Sequence, residues 1–153
     1  MKVVPRGVWA LAIVGISVPL LTGIGVWVYR IMGSQLIWGS AARCVGYMLM
    51  ASLWNAVPFV VFVKVAPAFL QNADSSDRIR HTAGLYSAVL FMLAFNSWLH
   101  VLMSTEFIGP HRPDAQSALA LPFIDAYTFI LGIIGYGLGR LGAKIVYTVR
   151  GAD

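Results

Sequence analysis

Two residues that can bind or release a proton occur inside the long apolar stretches of this chain. Asp125 is the one carboxylate within such a stretch, and His100 lies in the stretch before it. Counted from the connection between the two stretches, at about 1.5 Å per residue, both lie at about the same depth. Since an unpaired carboxylate is costly in hydrocarbon, we expect an Asp125–His100 hydrogen bond or ion pair. Such a pair would either fix the register of two helices or relay protons.

Two amide side chains extend this polar set. Asn96 lies one helical turn before His100, and Asn55 lies in the second apolar stretch. Polar residues at such depth mark either interhelical contacts or a route for ions or solutes. The sequence therefore predicts an intramembrane polar cluster of Asp125, His100, Asn96 and Asn55, in which Asn96, His100 and Asp125 could line a transport path.

Two prolines interrupt the apolar stretches and leave backbone carbonyls without their usual donors. Pro19 has no N–H for the carbonyl of Gly15, and Pro58 has none for that of Trp54. Asn55 lies one turn before Pro58, so its side chain is a candidate donor to freed backbone groups.

Metal binding is a weaker possibility. His100, Glu106, His111 and Asp125 have side chains that can ligate a divalent cation. Zinc sites need three or four ligands with convergent geometry, which sequence proximity does not provide. The single cysteine, Cys44, excludes a Cys-x-x-Cys redox pair. No nucleophile and base stand in a catalytic arrangement, so we assign no catalytic residue and expect no cofactor.

Small residues recur along the last apolar stretch. At about 100° per residue they share a face with Asp125, which should therefore point toward protein rather than lipid. Small residues at this spacing let another helix approach closely. The predicted helix-packing face, called here the glycine face, consists of Thr128, Gly132, Gly135 and Gly139.

Four apolar runs must position all these side chains. Each is about 20 residues or longer, which is the length that a helix needs to cross a bilayer core. They predict an all-α, integral membrane four-helix bundle that forms a single transmembrane domain over residues 1–153. A polar Asp-Ser-Ser-Asp run before the third helix should cap it. The runs are Val8–Tyr29, Cys44–Val65, Thr82–Met103 and Ala118–Gly142.

Composition agrees with a lipid environment. The chain is 59% hydrophobic and only 11% charged, whereas soluble domains have about 25% charged residues. The net charge of +5 arises from basic residues at the ends of the apolar runs. There they suit anionic lipid headgroups, and they form no basic stripe that would bind nucleic acid.

The distribution of basic residues predicts the orientation. Four spans place both termini and the middle connection on one side of the membrane. The basic residues of that side are Lys2, Arg6, Lys64, Arg78, Arg80, Arg140, Lys144 and Arg150. Those of the other side are Arg30, Arg43 and Arg112. The positive-inside rule then predicts cytoplasmic termini in a multi-pass protein of the cell (inner) membrane.

Three functions remain open on this sequence. The favoured one is a non-catalytic component of a homo- or hetero-oligomeric membrane complex, which packs through the glycine face of the fourth helix. The first alternative is a small oligomeric transporter or channel with a polar path through Asn96, His100 and Asp125. The second is a membrane enzyme or metal-binding protein that uses histidines and carboxylates of the outer face.

Overall fold

The computed structural model describes residues 4–33, 39–71, 73–107 and 115–150. These residues form helices and no strand, as expected of an all-α membrane protein. The helices are α1 (Arg6–Met32), α2 (Gly39–Gln71), α3 (Ser75–Phe107) and α4 (Ala115–Arg150).

All four helices are long and apolar enough to cross a membrane, over Arg6–Met32, Cys44–Gln71, Ser75–Thr105 and Pro122–Val149. Their outer surface is covered with large apolar side chains such as Leu53, Leu49 and Ile13. A continuous apolar surface of this kind is unusual on a soluble monomer. The four predicted spans are therefore confirmed as apolar helices of membrane-spanning length.

Each helix extends beyond its apolar run at both ends. The N-terminus of α3 begins at Ser75 rather than Thr82, because the carboxylate of Asp74 accepts a hydrogen bond of 2.7 Å from the backbone N–H of Asp77. This is the predicted cap. It satisfies one of the backbone donors that a helix start leaves unpaired.

The helices alternate in direction. Gly15 of α1 lies against Phe59 of α2, whereas Gly23 lies against Met48, so these two helices are antiparallel. The N-terminus of α1, the α2–α3 connection and the C-terminus of α4 therefore share one end of the bundle, called here the termini end. The other is the opposite end.

Helices α1, α2 and α3 pack around a shared apolar core. At the termini end this core includes Val8, Phe59, Leu85 and Met92. Toward the opposite end, Ile124 brings α4 into contact with Met48 and Ala51 of α2. Helix α4 packs mainly on α3 and secondarily on α2.

The glycine face of α4 is covered by α3 of the same chain. A Cβ added at Gly139 would lie 2.7 Å from the carbonyl oxygen of Ala83 and 2.9 Å from Cα of Gly84. At Gly135 it would lie 3.0 Å from the carbonyl oxygen of Ser87. The predicted close approach of helices is thus present. Because α3 covers the glycine face, this face is not free to bind a partner protein, contrary to what the sequence had suggested.

Candidate functional site

The first element of the site is a junction of three helices at the carbonyl oxygen of Gly15. Its usual donor is missing because residue 19 is proline. The Asn55 side-chain amide donates to this oxygen at 2.7 Å, and the Asn96 amide lies 3.5 Å from it. Asn96 also donates to Oδ1 of Asn55 at 2.5 Å. Asn55 therefore donates to a freed carbonyl, as predicted. The carbonyl is that of Gly15 in α1, however, and not that of Trp54 in α2.

A second group of polar side chains continues from this junction toward the opposite end. His100 lies one turn beyond Asn96, and its Nδ1 is hydrogen-bonded to the Tyr47 hydroxyl at 3.1 Å. The Ser104 hydroxyl lies 3.4 Å from that of Tyr47 and 3.2 Å from that of Thr22. Hydroxyl, imidazole and amide groups therefore line the interface of α1, α2 and α3. From Asn96 to Ser104 they extend about 12 Å along the helix axis.

The polar chain contains atoms whose hydrogen-bonding capacity is not used. Nε2 of His100 and Oδ1 of Asn96 are buried and have no partner among the described residues. Buried polar atoms are satisfied in most proteins, so such exceptions often coincide with sites that bind or transfer something.

The expected Asp125–His100 pair does not form. His100 is bonded to Tyr47 of α2, while Oδ2 of Asp125 is buried without a hydrogen-bond partner among the described residues. Equal depth places two residues at one level of the bundle but does not determine which way each faces. Asp125 is nevertheless only 9% exposed.

Asp125 lines a groove between α2 and α4 that opens laterally on the apolar surface. The groove has a volume of about 390 Å³. Its walls are apolar apart from the carboxylate, and Pro58 supplies no N–H to the carbonyl of Trp54. The lining residues are Trp54, Val57, Pro58, Val61, Pro122, Asp125, Ala126 and Phe129. This groove combines acceptor atoms with an apolar wall and adds no strong donor except the Trp54 indole.

Thr128 lies one turn from Asp125 and is fully buried. Its hydroxyl donates to the carbonyl oxygen of Ile124 at 2.8 Å, within α4 itself. The hydroxyl therefore has its hydrogen-bond partner within α4 and needs none from a neighbouring helix. Gly132, by contrast, adjoins the side chain of Met92 on α3.

The structure describes the side chains of only two of the four proposed metal ligands, His100 and Asp125. No group of three or more His, Cys, Asp or Glu residues converges within the described part of the chain. His111 and the side chain of Glu106 lie outside the described residues.

Sequence reasoning missed the aromatic and basic contacts at the termini end. His81 Nδ1 is hydrogen-bonded to the Tyr136 hydroxyl, and Phe69 packs on both rings. The guanidinium of Arg140 lies 5.9 Å from the centre of the Tyr136 ring. A usable signal was present for His81 and Arg140, because each lies next to the end of its apolar run, where polar and basic side chains meet the membrane surface. Tyr47 gave no such signal, because its apolar neighbours do not mark which face of α2 is buried.

No protein family matches this chain, and no curated protein or solved structure is significantly similar to it.

Proposed function

We propose that this chain is a non-catalytic component of a membrane complex, which binds a transmembrane helix of its partner in the groove between α2 and α4. The observation that carries the proposal is the buried, unpaired Oδ2 of Asp125 at the wall of that groove. A carboxylate in hydrocarbon requires a partner. The helices of this chain supply none within the described residues.

The groove replaces the glycine face as the proposed interface. Gly132, Gly135 and Gly139 are each in contact with α3 side chains or backbone, so they are not available to another protein. The groove residues on α2 remain open to the bilayer, as the 51% exposure of Val57 illustrates.

The chemistry of the groove specifies its occupant. Its side walls accept van der Waals contact from an apolar helix, and Asp125 accepts a hydrogen bond or a positive charge. An apolar partner helix with one donor side chain, ideally that of a basic residue, would fit both the apolar walls and the carboxylate. Interhelical hydrogen bonds of this kind contribute about 0.6–2 kcal/mol in membrane proteins.

Site-specific photo-crosslinking in native membranes tests this proposal. A photoreactive residue at Val57 reports on the groove, and one at Ile13 is the matched control. Ile13 is similarly exposed at 59%. It lies within about 6 Å of the depth of Val57, because each is two residues from the Gly15–Phe59 contact of these antiparallel helices. We expect a discrete crosslinked product from position 57 that is absent from position 13.

Substitution of the carboxylate completes the test. Asp125→Leu should abolish the crosslinked product, whereas Thr128→Val should retain it, because the Thr128 hydroxyl is bonded within its own helix. A product of twice the chain mass would identify the partner as a second copy. Equal products from positions 57 and 13, or none from position 57, would contradict the groove as interface.

One observation favours a second candidate, proton or small-ion transport by an oligomer. The polar chain from Asn55 and Asn96 to His100 and Ser104 follows the bundle interior. Asp125 stands apart from these hydrogen bonds, so transport along them should be lost in His100→Ala and retained in Asp125→Asn. Proton flux into liposomes containing the purified chain is the measurement, and no flux under any ion gradient would end this candidate.

A further inference from the structure

A basic pocket lies between α3 and α4 near the termini end, separate from the groove that contains Asp125. Its volume is about 540 Å³. Three of its side chains are cationic, one from α3 and two from α4. The lining residues are Arg80, Ile133, Tyr136, Gly137, Arg140, Leu141 and Lys144.

The pocket is apolar at its deep end and basic at its shallow end. Ile133, Gly137, Leu141 and Lys144 follow one another at helical spacing along one side of α4. Ile133 is nearest the middle of the span, and Lys144 lies about 16 Å closer to the end of the helix. Ile133 and Leu141 are both exposed on the lipid-facing surface. This polarity matches an amphiphile whose charged group lies at the membrane surface.

Two of the three cations are held by neighbouring side chains, and the positive charge of the pocket is only partly neutralised. Arg80 is paired with Asp77 at 3.3 Å, while its Nε is buried without a hydrogen-bond partner among the described residues. The guanidinium of Arg140 is positioned over the ring of Tyr136. No carboxylate lines the pocket, and within the described part of the chain Arg140 and Lys144 form no ion pair.

We propose that this pocket binds the phosphate-bearing headgroup of an anionic phospholipid, with an acyl chain along Ile133. Arg80, Arg140 and Lys144 contact the phosphate and headgroup oxygens, and Gly137 leaves the space that the lipid occupies. A Cβ added at Gly137 would meet no atom within 4 Å. Basic pockets between membrane helices near one membrane surface are typical sites for such lipids. A free phosphate would use the same cations but not the apolar end.

Native mass spectrometry of the full chain, with equal amounts of phosphatidylglycerol and phosphatidylcholine, tests the proposal. We expect preferential retention of phosphatidylglycerol. Lys144→Gln should weaken that binding about fivefold, as expected for one basic residue near an anionic lipid. Lys64→Gln is the matched control: it removes an exposed cation of the same end, outside the pocket, and should leave binding unchanged.

A steric pair of variants tests the site without changing charge. Gly137→Leu should fill the pocket and abolish preferential binding. Gly142→Leu should retain it, because Gly142 is equally open but does not line the pocket. Both positions have room for a side chain, so loss of the fold does not confuse the comparison.

Three results would overturn the proposal: no preference for phosphatidylglycerol, equal losses in Lys144→Gln and Lys64→Gln, or full binding in Gly137→Leu. Inorganic phosphate in large molar excess should fail to displace the lipid. Displacement by inorganic phosphate alone would assign the pocket to a free anion instead. None of these measurements depends on a partner in the Asp125 groove, so either proposal can fail without the other.

Discussion

The carbonyl oxygen of Gly15 shows how one residue type shapes the contacts of three helices. Pro19 removes the donor of that oxygen within α1, and the amides of Asn55 and Asn96 approach it from α2 and α3. An unpaired carbonyl in a low-dielectric interior costs about 1–3 kcal/mol. The two asparagines therefore compensate a defect in another helix, and they tie the three helices together at one level.

We predict that Asn55 and Pro19 are energetically coupled. Asn55→Ala should lower the free energy of unfolding by about 1–3 kcal/mol, because Gly15 then loses its short hydrogen bond. In a Pro19→Ala background residue 19 can donate to Gly15, so the same substitution should cost less. Unfolding of the four variants in mixed micelles, followed by circular dichroism, gives the coupling. Pro67→Ala is the control background, and equal costs in all backgrounds would contradict the prediction.

Asp125 presents the opposite case, because its buried Oδ2 has no hydrogen-bond partner among the described residues. We predict that Asp125→Leu raises the unfolding midpoint of the isolated chain in detergent while weakening assembly. If the Asp125 carboxylate were hydrogen-bonded within the fold, Asp125→Leu would instead lower the unfolding midpoint. Thr128→Val should change the midpoint little, because its hydroxyl returns to its own helix. A fall in stability of Asp125→Leu would show that Asp125 serves the fold of the single chain.

The sequence indicated which polar residues occur within the spans, but it did not indicate the hydrogen-bond partner of each one. Helical spacing places Asn96, His100 and Asp125 inside the protein, and all three are buried. Their partners depend on how the helices are rotated about their axes, which apolar runs without strong amphipathicity do not determine. Tyr47 therefore takes the position beside His100 that the sequence suggested for Asp125.

At the scale of the helices, α4 depends on its small residues for contact with α3. A Cβ added at Gly139 would lie only 2.9 Å from the Cα atom of Gly84 in α3. Helical spacing of glycines correctly predicted such a close approach. It did not distinguish a helix of the same chain from a helix of a partner, because the packing requirement is the same for both.

We predict opposite effects of alanine at two glycines of α4. Gly139→Ala should destabilise the chain by about 1–3 kcal/mol, because its Cβ overlaps α3 backbone and forces the helices apart. Gly142→Ala should be neutral or stabilise by up to about 1 kcal/mol, because alanine favours helix and has open space there. Detergent unfolding of the two variants measures both effects. Similar values for both would contradict the packing of α4 on α3.

The whole molecule combines an apolar outer surface with an uneven distribution of charge. The described basic residues of the termini end include Arg80, Arg140, Lys144 and the exposed Lys64. The alternating directions of the helices place these residues at one end. The sequence predicted this layout because the four spans and their flanking charges follow from the positions of apolar and basic residues along the chain. The membrane that contains the chain, and which end faces the cytoplasm, depend on insertion rather than on packing.

We predict that the termini end faces the cytoplasm, because basic residues near span ends are retained on that side. Single cysteines introduced into a Cys44→Ala background report this. Ser75→Cys lies at the termini end and Gly33→Cys at the opposite end, and both positions are exposed. In intact spheroplasts a membrane-impermeant maleimide should label position 33 and not position 75. Both should react after permeabilisation, which shows that each cysteine is accessible. Labelling of position 75 alone before permeabilisation would reverse the orientation, whereas the described helix contacts would stand in either case.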